Sequence, residues 1–173
     1  MKYGQITSSE QTTLFAAEQM IKAKQASIPI YRVTLVREGK MPTYESRIRS
    51  SASAYTVLQE YLDGVDREHF VVMLLDQKNS AIGLHTVSIG SLTASIVAPR
   101  EVFKVAILAN CANILIAHNH PSGDCQPSKE DRAITQRLKE AGALLGINVL
   151  DHLVIGAEGR YFSFADEGLL DRG

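Results

Sequence analysis

Hydrophobic and polar positions along the chain follow two alternating periods, and each switch of period marks an element. From Ser8, "SSEQTTLFAAEQMIKAKQ" sets Leu14, Ala17, Met20 and Ile21 at helical spacing, with Ser8 or Ser9 placed to cap the helix. "IPIYRVTLVRE" is β-rich, and Pro29 suits it to a sheet edge. The polar stretch "GKMPTYESRIRS" follows, and a boundary near residue 45 separates a helix-plus-strand appendage, 1–45, from a main domain, 46–173. The main domain opens with a helix, "SASAYTVLQEYLD", capped by Ser50 or Ser51 with Tyr55, Leu58 and Leu62 on one face. "HFVVMLLD" and "NILIAHNH" are continuous apolar runs of strand length, the pattern of buried strands. Between them lie two further strands, "AIGLHTVSIG" and "SLTASIVAP", and a helix, "REVFKVAILANCA", with Pro99 near its start. "SKEDRAITQRLKEAGALLG" predicts a helix with Ile134, Leu138, Ala141 and Leu145 on its core face and Gly146 as its stop. "INVLDHLVIG" and "RYFSF" predict the last strands, and "ADEGLLDRG" a short helical turn. Strands interleaved with helices imply an α/β fold built on a mixed sheet with flanking helices.

Composition narrows the class without changing that picture. With 173 residues, 45% of them hydrophobic, the chain is long enough for one domain with a real core. No apolar run approaches the ~20 residues of a membrane helix, and "MKYGQITSSEQTTLF" lacks the apolar core of a secretory signal. A cytoplasmic protein is the expectation. Its two cysteines, Cys111 and Cys125, would then stay reduced, Cys111 as a small core residue. Net charge is −1, yet residues 1–50 carry +4 and the remainder −5. The basic residues of the first segment are scattered rather than clustered, so an ordinary solvated surface accounts for them, and nothing in them demands nucleic acid.

The chemistry concentrates in "LIAHNHPSGDCQPSKED", residues 115–131. His118 and His120 are two apart at the end of a buried strand, so both side chains point to one face and Asn119 to the other. Two neutral imidazoles on one face suit Zn²⁺. Pro121, Gly123 and Pro127 make the following stretch a loop, and Ser128 opens the next helix in the Ser-x-x-acid pattern of a capping box. Asp131 then falls in the first helical turn, where the loop can fold it back over the strand end. His118, His120 and Asp131 would leave a fourth tetrahedral position for water, the mark of a catalytic rather than a structural site. The residues alone leave a plainer alternative open, in which Asp131 completes the cap and favours the helix dipole. The literal string "HNH" has no bearing on the nuclease motif of that name, whose letters lie far apart in sequence.

The spacing His118-x-His120, seven residues, Ser128, two residues, Asp131 resembles the JAMM signature of JAB/MPN metalloproteases. "HNHPSGD", "REHFVVMLLD", "VSIGSLTASIVAPREVFKVAILAN" and "LLGINVLDHLVIG" with "YFSF" are similar to its RadC-like branch, over roughly residues 45–170. The resemblance implies the cytidine-deaminase-like three-layer arrangement, with helices flanking a curved mixed sheet, and one Zn²⁺ per chain held by His118, His120 and Asp131. It implies that Glu68, just before a strand, handles the proton of the zinc-bound water, with Glu60 and Glu101 as the alternatives. Ser128 resembles the serine that hydrogen-bonds the developing oxyanion. The implied reaction is hydrolysis of an amide or isopeptide bond in a protein or peptide. Cys125 stands where RadC-like sequences commonly carry proline; an extra ligand, an oxidation switch and a solvent-facing thiol are its three readings. His152 reads as a partner of a ligand or as a hydrogen-bonded core histidine.

Two other functions compete. The RadC name carries an association with DNA repair, which implies a DNA-repair or mobile-element-associated accessory binding DNA or a DNA-processing partner. Residues 1–45 show no Gly-rich hairpin of the kind the longer relatives use for duplex DNA. A non-catalytic MPN scaffold is the other; such relatives usually lose ligands, and here all three ligand positions are filled.

Overall fold

The computed structural model describes residues 8–23, 27–43, 46–90 and 97–170. The chain divides into two compact units, residues 1–33 and 34–173, a division that falls before the polar connection at 39–50. In the first unit, α1 (Ser8–Ala23) forms as the helical spacing predicts. The side chains of Leu14, Met20 and Ile21 lie outside the described residues. The edge strand expected at 28–38 is not formed: residues 27–43 have no regular structure, and Ile30, Tyr31 and Val36 are exposed. A β-rich stretch becomes a strand only when a neighbour takes up its N–H and C=O groups, and no described strand pairs with it.

The second unit is built on one sheet. Its elements are α2 (Ser51–Tyr61), β1 (His69–Leu75), β2 (Ala81–Ile89), α3 (Pro99–Leu108), β3 (Asn113–Asn119), α4 (Lys129–Leu145), β4 (Asn148–Ile155) and β5 (Tyr161–Ser163). The strand order is β2-β1-β3-β4-β5, and among these described strands only β3 and β4 run parallel. Most of the strand once expected across "SLTASIVAP" lies outside the described residues, and Pro99 opens α3 directly. Of the final stretch, residues 165–170 form turns and bends, and the remainder lies outside the described residues.

The apolar runs explain the layering. β1 and β3 are buried almost throughout because both faces of the sheet are covered. On one face Val71, Met73, Leu75, Leu115, Ala117, Leu153 and Ile155 pack with α2 through Ala54, Val57 and Leu58. On the other, Phe70, Val72, Leu74, Ile114, Ile116 and Val154 pack with Val102, Phe103 and Ala106 of α3 and Ile134 and Leu138 of α4. The result is the α/β three-layer arrangement, a mixed sheet between helices. Among the described residues no helix is long and apolar enough to cross a membrane.

Candidate metal centre

The site forms where β3, the central strand, ends beside the start of β1 and the first turn of α4. His118 is the sixth residue of β3 and wholly buried, facing the α3/α4 layer with Phe70 opposite it in the antiparallel register. Carrying that register two residues outward sets Glu68 opposite His120, on the same face. The two histidines therefore project together, as their spacing predicts. Their Nε2 atoms are 3.0 Å apart.

The loop returns the chain over the strand end. His120 N–H donates to the Ile155 carbonyl, and Gly123 N–H closes a turn on the His120 carbonyl, both at 2.9 Å. Gly123 has φ 81°, a conformation that disfavours side chains. The loop lies tight against the end of β4: a Cβ on Gly156 would stand 2.6 Å from the Gly123 oxygen and 3.1 Å from the Cβ of Cys125. Cys125 is half-buried in this contact. Asp124 donates no side chain to the centre, but its backbone carbonyl accepts from His120 Nδ1 at 2.6 Å. A carbonyl only accepts, so His120 carries a hydrogen on Nδ1 and turns Nε2 inward.

Ser128 caps α4 in a full capping box. Its Oγ accepts from the Asp131 N–H at 3.1 Å, and its own N–H donates to Asp131 Oδ2 at 2.7 Å. The Ser128 hydroxyl also donates to Asp131 Oδ2 at 2.6 Å. With Oδ2 held twice, Oδ1 is turned toward His118 Nε2, 3.2 Å away, while Oδ2 stands 3.8 Å from His120 Nε2. Burial opposes the Asp131 charge, but the hydrogen bond and charge of His118 and the two Ser128 donors outweigh it. They hold the carboxyl well below the usual carboxylate range.

Glu68 completes the group. Its Oε1 lies 4.0 Å from His120 Nε2, and Glu68, His118 and His120 present ligand atoms within 4.8 Å of one another, a cluster able to hold a metal ion. Asn119, on the opposite face from the histidines, brackets this glutamate. Its side-chain amide donates to the Arg67 carbonyl at 3.0 Å and accepts from the His69 N–H at 2.8 Å. Of the two alternatives to Glu68, Glu101 is engaged by Lys104 at 2.6 Å on α3 and Glu60 is exposed on α2.

The donor set fits a divalent cation of the zinc type. Two inward-facing imidazole nitrogens 3.0 Å apart, with carboxylates beside them, form the nitrogen and oxygen donor set that zinc takes.

Behind the site, His152 of β4 lies fully buried with its Nε2 2.8 Å from His118 Nδ1. Burial first, then the neighbouring His118, push its imidazole well below the usual range, so it is neutral. Its Nδ1 faces Thr135 Oγ1 of α4 at 2.6 Å. No signal in the sequence singles out Thr135 or the Asp124 carbonyl, because neither belongs to a residue type that reports such a contact from one chain. Asn119 and His152 carry a faint signal, being polar residues inside apolar strands.

The model of the RadC-like JAB domain family matches residues 48–169. The chain is 51% identical over 139 residues to a "UPF0758 protein" of Rubrobacter xylanophilus, covering 80% of this chain and 59% of that one. It is 40% identical to a "UPF0758 protein" of Methanosarcina mazei, covering 96% of this chain and 72% of the relative. A third, from Syntrophotalea carbinolica, is 42% identical with 96% and 73% covered. Part of each relative thus extends beyond the matched region.

Proposed function

The chain belongs to the RadC-like JAB domain family, and on that premise we propose that it is a zinc-dependent hydrolase of the JAMM type, cleaving an amide or isopeptide bond in a protein or peptide. One observation carries the reading. Two inward-facing imidazole nitrogens 3.0 Å apart meet the carboxylate of Asp131 at a helix start, with Glu68 alongside.

His118, His120 and Asp131 are the proposed ligands. Zinc at such a site supplies a Lewis acid for the carbonyl and water acidified toward a pKa of about 7. His118 and Asp131 side chains are 0% and 7% exposed, those of His120 and Glu68 19% and 21%, so the Glu68 side is the more open. A substrate carbonyl therefore approaches past Glu68. That carboxylate accepts a proton from the attacking water and returns it to the leaving nitrogen. The Asn119 bracket holds the backbone on either side of Glu68, which keeps the carboxylate in register with His120. Ser128 orients Asp131, and its single hydroxyl hydrogen already goes to Oδ2. It serves a developing oxyanion only by releasing that bond.

The test is hydrolysis of a panel of peptide and isopeptide substrates by wild type and Glu68→Gln, with zinc content measured in both. Cleavage by wild type and its loss in a zinc-replete Glu68→Gln support the assignment. Wild-type rates in Glu68→Gln would overturn the role of Glu68, and an inactive wild type across the panel would count against the reaction itself.

A further inference from the structure

Behind the metal-facing atoms runs a closed ring of hydrogen bonds whose directions follow one from another. Thr135 Oγ1 lies 2.5 Å from the Asp131 carbonyl oxygen. A carbonyl only accepts, so the one hydroxyl hydrogen of Thr135 goes there. Toward His152 Nδ1, 2.6 Å away, Thr135 can then offer only a lone pair, and His152 must carry its hydrogen on Nδ1. That leaves His152 Nε2 bare, and it accepts from His118 Nδ1–H at 2.8 Å. With Nδ1–H committed to His152, His118 turns its other nitrogen, Nε2, toward Asp131 Oδ1 at 3.2 Å. The ring begins at the backbone carbonyl of Asp131 and ends at its carboxylate.

Among the described residues, Thr135 Oγ1, both His152 nitrogens and His118 Nδ1 have no other side-chain partner. Thr135, His152 and His118 are 3%, 0% and 0% exposed, so water does not replace a missing bond. Phe164 stacks on His152 with centroids 4.9 Å apart, and Phe70 meets it edge-on at 5.7 Å, so both sides of the ring are packed. His120 meets His118 at Nε2, and its own Nδ1 is set independently by the Asp124 carbonyl.

We propose that Thr135 and His152 are positioning residues that hold His118 through its Nδ1–H, so that Nε2 is the atom presented to the metal position. This deepens the metal-centre reading, but the tautomer is a property of the metal-free chain. Threonine is needed for its hydroxyl and not for its shape, and histidine 152 for a neutral ring that accepts at one nitrogen and donates at the other.

The experiment compares wild type with Thr135→Val, Thr135→Ser and His152→Phe. Long-range ¹H–¹⁵N spectra of the metal-free proteins at alkaline pH read the imidazole tautomers, and a competing chelator reads zinc affinity. Wild type shows Nδ1–H on both His118 and His152. Thr135→Val, which keeps the shape and loses the hydroxyl, loses that pattern and binds zinc roughly 10–100-fold more weakly, the usual effect of losing a partner behind a ligand. Thr135→Ser restores both, although it loses the methyl group, and His152→Phe behaves like Thr135→Val. A packing role alone predicts the reverse order of valine and serine. Nε2–H on His118 in wild type, or wild-type affinity in Thr135→Val, would overturn the proposal. If wild type itself binds no zinc, the metal reading fails while the tautomer spectra still decide this one.

Discussion

Ser128 is where the fold and the centre share an atom, and truncating it to alanine removes two interactions at once. The first is the cap: Asp131 N–H loses Ser128 Oγ, its partner at 3.1 Å, which costs about 1 kcal/mol. The second is the hydroxyl's bond to Asp131 Oδ2 at 2.6 Å, and a hydrogen bond to a charged group is worth about 1.5–3 kcal/mol. The Ser128 N–H still donates to Oδ2 in the variant, so the lower end applies. Ser128→Ala should therefore lose roughly 2–3 kcal/mol in the metal-free protein, or roughly 6–9 °C in Tm for a domain of this size. Urea and thermal unfolding at neutral pH measure it. Ser128→Gly separates the two parts, because glycine replaces a capping serine at a cost of only a few tenths of a kcal/mol. If the Asp131 bond matters as argued, glycine still loses about 1.5–2 kcal/mol, somewhat less than alanine, and Ser128→Thr stays near wild type. A Ser128→Gly protein of wild-type stability, or a loss below about 1 kcal/mol in Ser128→Ala, would refute the reasoning.

Other expectations follow from the same contacts. Asn119→Ala removes two hydrogen bonds that bracket Glu68 without touching a proposed ligand; zinc affinity should stay within a few-fold while hydrolysis falls at least ten-fold, and parallel titration and rate measurements check both. The Asp131 carboxyl is depressed in the folded protein, so its charge contributes stability above its unfolded pKa of about 3.9 and loses it as pH falls through the folded value. Metal-free protein should accordingly weaken below about pH 4, and Asp131→Asn should show a shallower acid limb in denaturant titrations; identical limbs would contradict it.

How far the chain could be read in advance depended on where each signal comes from. "HFVVMLLD" and "NILIAHNH" were legible because strands covered on both faces must be apolar along their whole length. The start of α4 was legible from Ser128 and Asp131, since capping is a local property of four residues. "IPIYRVTLVRE" misled for the complementary reason: it reports β-forming side chains and says nothing of a strand to pair with. At the centre, the convergence of His118 and His120 is local, and that of Asp131 nearly so. Placing Glu68 took the family resemblance, because its position depends on the β1–β3 register. The contacts of Thr135, His152 and the Asp124 carbonyl depend on how α4 and the loop pack against the sheet, which no spacing encodes.

The central claim is that His118, His120 and Asp131 together hold one divalent metal. The most direct measurement is the metal content of purified, zinc-supplemented protein beside His118→Ala and Asp131→Ala, with folding of each checked by circular dichroism. The account predicts close to one zinc per wild-type chain and its loss in both folded variants. A wild-type protein that takes up no metal, or an Asp131→Ala protein that retains a full equivalent, would contradict it.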